Sequence, residues 1–554
     1  MHTSAARGET QRDPGAPLAL QQDLCLRNRG IALLRRYKRK AIPGAQRRRA
    51  SGLALAAPVP RGGALPPFPA RLPTLLHLYG QETMADKRDG AGMQRLLHFC
   101  ARALSQQWYT IRKIIKERTI LQGMTSQYDI GLFVHTRQHT RLPEPLRFPP
   151  GFLWGTATSA HQVEGQNTNN QWWVWEQQGR CWHGDVSGDA CGWWRDAEGD
   201  LDRAAALGTN AHRMSIEWSR IEPEEGRFDH GAIRRYREII GGIVRRGMTP
   251  MITLHHFTNP LWVEAKGAWL NAKTPRWFAR FVARAVEELG DLCNLWCTVN
   301  EPTVYAALSY LQGVWPPGRR NILQALRVFG NLMRGHELAA RAVHEQHPAH
   351  RVGIVHHKRI LDPASPAGHD VLTTVMYDYL VNGLVLRRLR ETSDFFGLNY
   401  YSRDHIAFDL RRPYHLFIRR FTPSYVEQSD AGMLGTFGEI YPNGLYRALK
   451  RAYRWLKLPI YVTETGLPDE DDNQRPRFLL NHLESVHRAI QEGIDVRGVF
   501  IWSLVDNFEW AEGWGLRFGL YALDEQTGER RMRPSAALYA IIARANAIPA
   551  PGAL

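Results

Sequence analysis

The stretch KLPIYVTETGLPDEDD, residues 457–472, begins like a buried strand and ends in a run of acid. Pro459, Ile460, Tyr461 and Val462 are apolar or β-prone, as in a short strand covered on both faces. The strand stops at Thr463-Glu464-Thr465-Gly466, so a carboxylate stands where a buried strand meets its glycine turn. Taken alone, Glu464 reads as a solvated loop residue. Its significance depends on whether other strands end in the same way.

From about residue 147 onward, short apolar segments alternate with helical periodicity, the pattern of a parallel α/β architecture. Strands are expected at 152–156, 211–216, 249–254, 295–299, 352–356, 395–399, 459–463 and 498–502, with helices between them such as 231–246, 275–289, 332–346 and 475–492. Eight strands with intervening helices suit a closed (β/α)8 TIM barrel; counting alone leaves an open doubly wound sheet possible. The residues at the strand ends favour the barrel. The first strand runs into TSAHQVEG, the second into EWSR, the third into HHFTNP and the fourth into NEP. The sixth runs into YYSR, the seventh into ETG and the eighth into SLVDNFEW. Polar and aromatic residues thus gather at the strands' C-terminal ends, the active face of such a barrel.

Charge divides the chain. Residues 1–145 hold 24 Lys and Arg against 9 Asp and Glu, whereas the remainder holds 47 against 45. Seventeen of the 18 Trp lie beyond residue 150, only Trp108 preceding it. The net charge of +17 is therefore a property of a leader, not of the body, and residues 146–554 are expected to form the folded body. Residues 1–92, Arg-rich and then Pro-rich, have a disordered composition. Residues 93–121 have the pattern of a basic amphipathic helix, with Leu96, Leu97, Leu104, Trp108, Ile111 and Ile115 at helical spacings. The leader reads either as a tether to nucleic acid or a membrane surface, or as a non-functional extension upstream of a later start at Met84, Met93 or Met124. No nucleic-acid function is expected of the body.

No apolar run approaches the length of a membrane span, and Leu53–Ala57 is too short for a signal-peptide core. The six Cys form no C-x-x-C pair and no zinc spacing. Cys181 and Cys191 could be bridged, but isolated thiols in a cytoplasmic protein fit the pattern better.

Glu301, in Thr298-Val299-Asn300-Glu301-Pro302, also lies just past a strand, the fourth. In a closed barrel it faces Glu464 of the seventh across the mouth. Two carboxylates flanking a cleft can cleave a glycosidic bond, one protonated to assist the leaving oxygen and one ionised to attack or to activate water. A separation of roughly 5 Å gives retention of configuration, and a wider gap gives inversion. Oxygen-ligated metal sites usually bring several Asp or Glu close together, and this mouth does not, so neither metal nor cofactor is expected.

Six motifs in order, FLWGTATSAHQVEG, HRMSIEWSRIEP, TVNEP, DFFGLNYYSR, YVTETG and WSLVDNFEWAEGW, resemble the successive signatures of glycoside hydrolase family 1, the β-glucosidase family. The resemblance covers about residues 147–545 and implies a retaining β-glycosidase of small β-glycosides or oligosaccharides. It implies Glu464 as nucleophile, Glu301 as acid/base and Asn300 as the holder of the sugar 2-hydroxyl. Gln162 and Glu509 would hydrogen-bond the 3-, 4- and 6-hydroxyls, and His256 would reach the 3-hydroxyl. Trp502 would floor the ring's C–H face, and Trp510 would offer its indole N–H. Arg213, Asn399 and Tyr401 would support the nucleophile.

Three departures bear on preference. Thr465 replaces the Asn of the family's TENG, Phe257 replaces the Trp of YHW, and the segment from 356 to 395 is short. The alternatives left open are a transglycosylase, a catalytically weak sugar-binding member and a phospho-β-glycosidase on the same barrel. The last is disfavoured because Glu509 would repel a 6-phosphate.

Overall fold

The computed structural model describes residues 144–412, 416–430 and 436–550. The disordered segment and basic helix expected over 1–121 lie outside them. Eight parallel strands close into a barrel: β1 (Leu153–Ala157), β2 (Ala211–Ser215), β3 (Thr249–Thr253), β4 (Leu295–Asn300), β5 (Arg351–His357), β6 (Phe395–Asn399), β7 (Ile460–Thr465) and β8 (Val496–Trp502). Their order around the ring is the order along the chain, and β8 closes on β1 with Gly498 opposite Leu153 and Trp502 opposite Ala157. The TIM barrel expected from the strand ends is the fold observed.

Each strand is followed by a helix: α1 (Glu198–Ala206), α2 (His230–Arg245), α3 (Thr274–Leu289), α4 (Ile322–Gln346), α5 (Gly368–Asp378), α6 (Pro442–Leu456), α7 (Arg475–Gln491) and α8 (Pro534–Ala545). α4 starts well before the expected residue 332, because the Asn321 side chain accepts from the N–H groups of Leu323 and Gln324 and caps it there. The helices pack a thick aromatic layer against the strands; Trp218 and Trp269, for example, meet Phe278 of α3. Inside the barrel Met251, Leu295, Val355, Phe395, Tyr461 and Phe500 fill the axis. Gly155 leaves the room that Phe500 occupies, since a Cβ there would sit 2.3 Å from its ring.

Beside the barrel mouth, a mixed sheet is built from Ile360–Pro363, Arg403–Phe408, Ile418–Phe421, Gln428–Asp430 and Thr436–Glu439, antiparallel except where Ile360–Pro363 runs parallel to Arg403–Phe408. Its strands are short and polar, which is why no apolar pattern announces them. Ion pairs fasten them instead: Arg403 binds Glu439 and Asp362, and Asp362 also takes Arg447 of α6 at 2.7 Å. Cys181, Cys191, Cys293 and Cys297 are free and buried, so the bridge that Cys181 and Cys191 could have formed is absent. Among the described residues no helix is long and apolar enough to cross a membrane.

Candidate active site

Glu464 is not past its strand, as its place before the glycine suggested. It lies within β7, pairing with Asn399 of β6, after a register irregularity between Val462 and Glu464. The carboxylate is held from two sides. Arg213 of β2 donates from Nη1 to Oε1 at 2.5 Å, and the Tyr401 hydroxyl donates to Oε2 at 2.7 Å. Burial, and then the charge of Glu464, push the Tyr401 phenol well above its ordinary range, so it stays a donor. Arg213 is itself fully buried. It also donates to Thr253 Oγ1, the Thr463 carbonyl and Asn300 Oδ1, so its position is over-determined.

Glu301 follows β4 directly, at φ 46° and ψ 58°, a left-handed conformation that costs a non-glycine residue about 1–3 kcal/mol. Its N–H donates to the Val355 carbonyl at 2.8 Å, and Pro302 starts the next helical turn, so neighbours on both sides fix the twist. β4 and β7 are separated by β5 and β6, so the two carboxylates sit three strands apart around the ring rather than diametrically opposed. Asn399 links them: its Nδ2 donates to Glu301 Oε1 at 2.7 Å, and its Oδ1 accepts from Thr463 Oγ1 beside Glu464. Burial, and next the negative charge of Glu464, push the Glu301 carboxyl up to about 8, against the opposing pull of the Asn399 hydrogen bond and the Arg213 charge. The site therefore holds one carboxylate paired with a buried cation and one carboxyl that favours its proton.

The remaining expected residues line the same mouth. Asn300 Nδ2 lies 3.2 Å from His256 Nε2, and burial keeps that imidazole neutral, well below its usual range. The His256 ring stacks between Trp502 and Trp510, at interplanar angles of 23° and 16°. Gln162 donates to Glu509 Oε2 at 3.0 Å and to the Phe508 carbonyl, while its Oε1 accepts from Ser159. Burial, then the carboxylates of Glu512 and Glu464, hold the Glu509 carboxyl well above its ordinary range. The charge repulsion that disfavoured a 6-phosphate is thereby weakened at neutral pH. The charges that bear most on Glu509 are nevertheless carboxylates, not cations. Phe257 occupies its position at φ 69° and packs edge-on to Trp510 and Trp315, and the Thr465 hydroxyl is buried without a hydrogen-bond partner among the described residues.

One residue of the site is absent from the set expected from the strand ends. His357, the last residue of β5, brings Nδ1 to 3.8 Å from Glu301 Oε2, and its Nε2 is buried without a hydrogen-bond partner among the described residues. Its signal lies in IVHHKR, where the fifth strand, like its neighbours, runs into polar residues. Among the described residues no group of three or more His, Cys, Asp or Glu is placed to hold a metal ion.

The chain has counterparts among known proteins. The family model for glycosyl hydrolase family 1 matches residues 145–386 and 381–548. The chain is 32% identical over 448 residues to β-glucosidase A of Thermotoga maritima, covering 73% of this chain and 99% of that one. It is 29% identical over 480 residues to a β-galactosidase of Sulfolobus acidocaldarius, covering 73% and 96%. Among solved structures, a β-glycosidase from Pyrococcus horikoshii shares 40% identity at a TM-score of 0.68, covering 73% of this chain and 96% of that one. The T. maritima β-glucosidase in complex with glucoimidazole matches at 32% identity, 72% and 99% coverage and a TM-score of 0.68. The chain belongs to glycosyl hydrolase family 1.

Proposed function

We propose that this family 1 β-glycosidase hydrolyses terminal non-reducing β-D-glucosyl, galactosyl or fucosyl residues with retention, and that residues 146–554 are its catalytic unit. The observation that carries the reading is the contrast between the two carboxyls: Glu464 against Arg213 and Tyr401, Glu301 buried and shifted up to about 8. In the first step a Glu464 oxygen attacks the anomeric carbon while Glu301 gives its proton to the departing glycosidic oxygen. The C–O bond to the aglycone breaks as the glycosyl ester forms. Glu301, now ionised, takes a proton from water, whose oxygen displaces Glu464 and restores the β-anomer. Asn300 would hold the 2-hydroxyl, where contacts strengthen as the ring flattens toward the oxocarbenium ion. Gln162, Glu509 and His256 would read the other hydroxyls over the indole floor of Trp502, with Trp510 offering its indole N–H.

The purified protein, assayed on aryl β-glucoside, β-galactoside, β-fucoside and 6-phospho-β-glucoside beside cellobiose, tests this. Turnover of the unphosphorylated substrates, with the β-anomer released first by proton NMR, is the expected result. Release of the α-anomer, or no turnover of any of them, contradicts it.

A further inference from the structure

The end of β5 builds a wall on the side of the mouth away from the sugar readers. Gln162 follows β1, Trp502 ends the adjoining β8, and Glu509 follows it. β4 and β5 lie across the ring from that pair, so what stands beyond Glu301 faces the leaving group rather than the sugar. His357 and Arg359 take that place. Lys358 between them sends its ammonium away, to 3.5 Å from Asp378 in α5, so its two neighbours share the other side of the chain. The His357 ring meets Tyr401 edge-on at 5.6 Å between centroids, with Nδ1 3.8 Å from Glu301. Burial, then the Arg359 charge, keeps this imidazole neutral, well below its usual range.

Charge on this wall is unbalanced. Arg359 gives Asp404 Oδ2 one hydrogen bond, from Nη1 at 2.7 Å, and Arg420 Nε stands 3.7 Å from the same oxygen. Arg420 pairs with Ile406, two residues from Asp404, so the arginine and the carboxylate leave the sheet on one face. Asp404 is buried, whereas the Arg359 and Arg420 side chains are 29% and 43% exposed. Besides Asp404, the carboxylate that acts on Arg359 is that of Glu301. When the leaving group departs Glu301 still holds its proton, and one carboxylate then answers two guanidinium groups. Their other N–H groups make no hydrogen bond among the described residues. A guanidinium fork receives a carboxylate with two parallel N–H donors, a match that an ammonium or a hydroxyl does not offer.

We propose that Arg359 and Arg420, beside His357, form an aglycone site for a carboxylate, so that the favoured substrates are β-glycosides of hydroxy acids linked through the hydroxyl, phenolic acids among them. The inference rests on the hydrolytic reading of Glu301 and Glu464. The test compares 3-carboxy-4-nitrophenyl β-glucoside with its neutral 3-carboxamide on the full chain. The wild type is expected to favour the carboxylate by about fivefold or more in kcat/KM. That preference should shrink in about 0.5 M KCl, which screens a partly exposed pair. Arg359→Gln and Arg420→Gln should each bring the ratio of the two substrates to about twofold or less. Reading the ratio against that of the wild type cancels both a general loss of activity and the difference between the leaving groups. Arg420→Gln, at an exposed strand position, decides the matter if loss of the Asp404 partner unfolds Arg359→Gln. Turnover of both substrates with no preference for the carboxylate overturns the inference alone. So does a preference that survives in both variants, which would leave Arg359 and Arg420 only fastening the sheet through Asp404. Turnover of neither substrate overturns the hydrolytic reading, and this inference with it.

Discussion

The Arg213 guanidinium, fully buried, donates to Glu464 across the barrel interior at 2.5 Å. A cation so enclosed is tolerated because its donors are spent on Glu464, Asn300, Thr253 and the Thr463 carbonyl. Arg213→Met leaves Glu464 buried without its counter-charge. The expected outcome is a loss of stability of about 3–5 kcal/mol and a fall in kcat/KM of about a hundredfold or more. Denaturant unfolding and steady-state kinetics measure the two, and an unchanged kcat/KM in a folded variant would remove Arg213 from the support of the nucleophile.

Glu301 must carry its proton to assist departure, and its carboxyl is pushed up to about 8. Activity is therefore expected to fall as pH rises through the region near 8. Asn399 donates to the ionised form and so lowers this value; Asn399→Ala should move the basic limb to higher pH while reducing kcat. Stability has the same sign. The native carboxyl holds its proton above the unfolded value of 4.5, so the stability it contributes is complete below that and is lost as pH rises through 8. Glu301→Gln should accordingly gain on the wild type between pH 5 and pH 8, by an amount on the order of a few kcal/mol. A gap between the two proteins that does not change with pH contradicts this.

Burial and then the charges of Glu512 and Glu464 bear most on Glu509. A higher kcat/KM is expected on aryl β-glucoside than on its 6-phosphate. Because the Glu509 carboxyl is shifted upward by burial, the preference should widen as pH rises and the group ionises. A preference for the phosphorylated substrate rules this out.

Every candidate site residue lies beyond 160, and the leader accounts for most of the net charge. A chain begun at Met124 is expected to keep kcat/KM within about tenfold, roughly 1.4 kcal/mol of transition-state stabilisation. A larger loss in a folded protein makes the leader part of the catalytic unit.

The barrel was legible because its buried strands are short apolar runs that end in polar and aromatic clusters, and because the helices between them keep an amphipathic period. Two kinds of feature were not. The sheet from Ile360 to Glu439 is held by Arg403, Arg447, Asp362 and Glu439, ion pairs between distant residues that leave no periodicity. Within the site, identity was readable but environment was not. That Glu509 resists ionisation depends on its burial and then on Glu512 and Glu464 converging on it, and that His357 reaches Glu301 depends on where β5 ends. Such facts arise only when strands from different parts of the chain are brought to one rim.

The assignment of Glu464 as nucleophile and Glu301 as acid/base is tested most directly by azide rescue of the two alanine variants on an activated aryl β-glycoside. Glu301→Ala keeps the covalent step, so azide should intercept the glycosyl-enzyme from the face opposite Glu464 and give the β-glycosyl azide. Glu464→Ala should be nearly inactive alone, and azide filling the emptied site should attack the substrate directly and give the α-azide. NMR of the two products distinguishes them. The expected pair is β-azide from Glu301→Ala and α-azide from Glu464→Ala; α-azide from Glu301→Ala would show that the two roles are reversed.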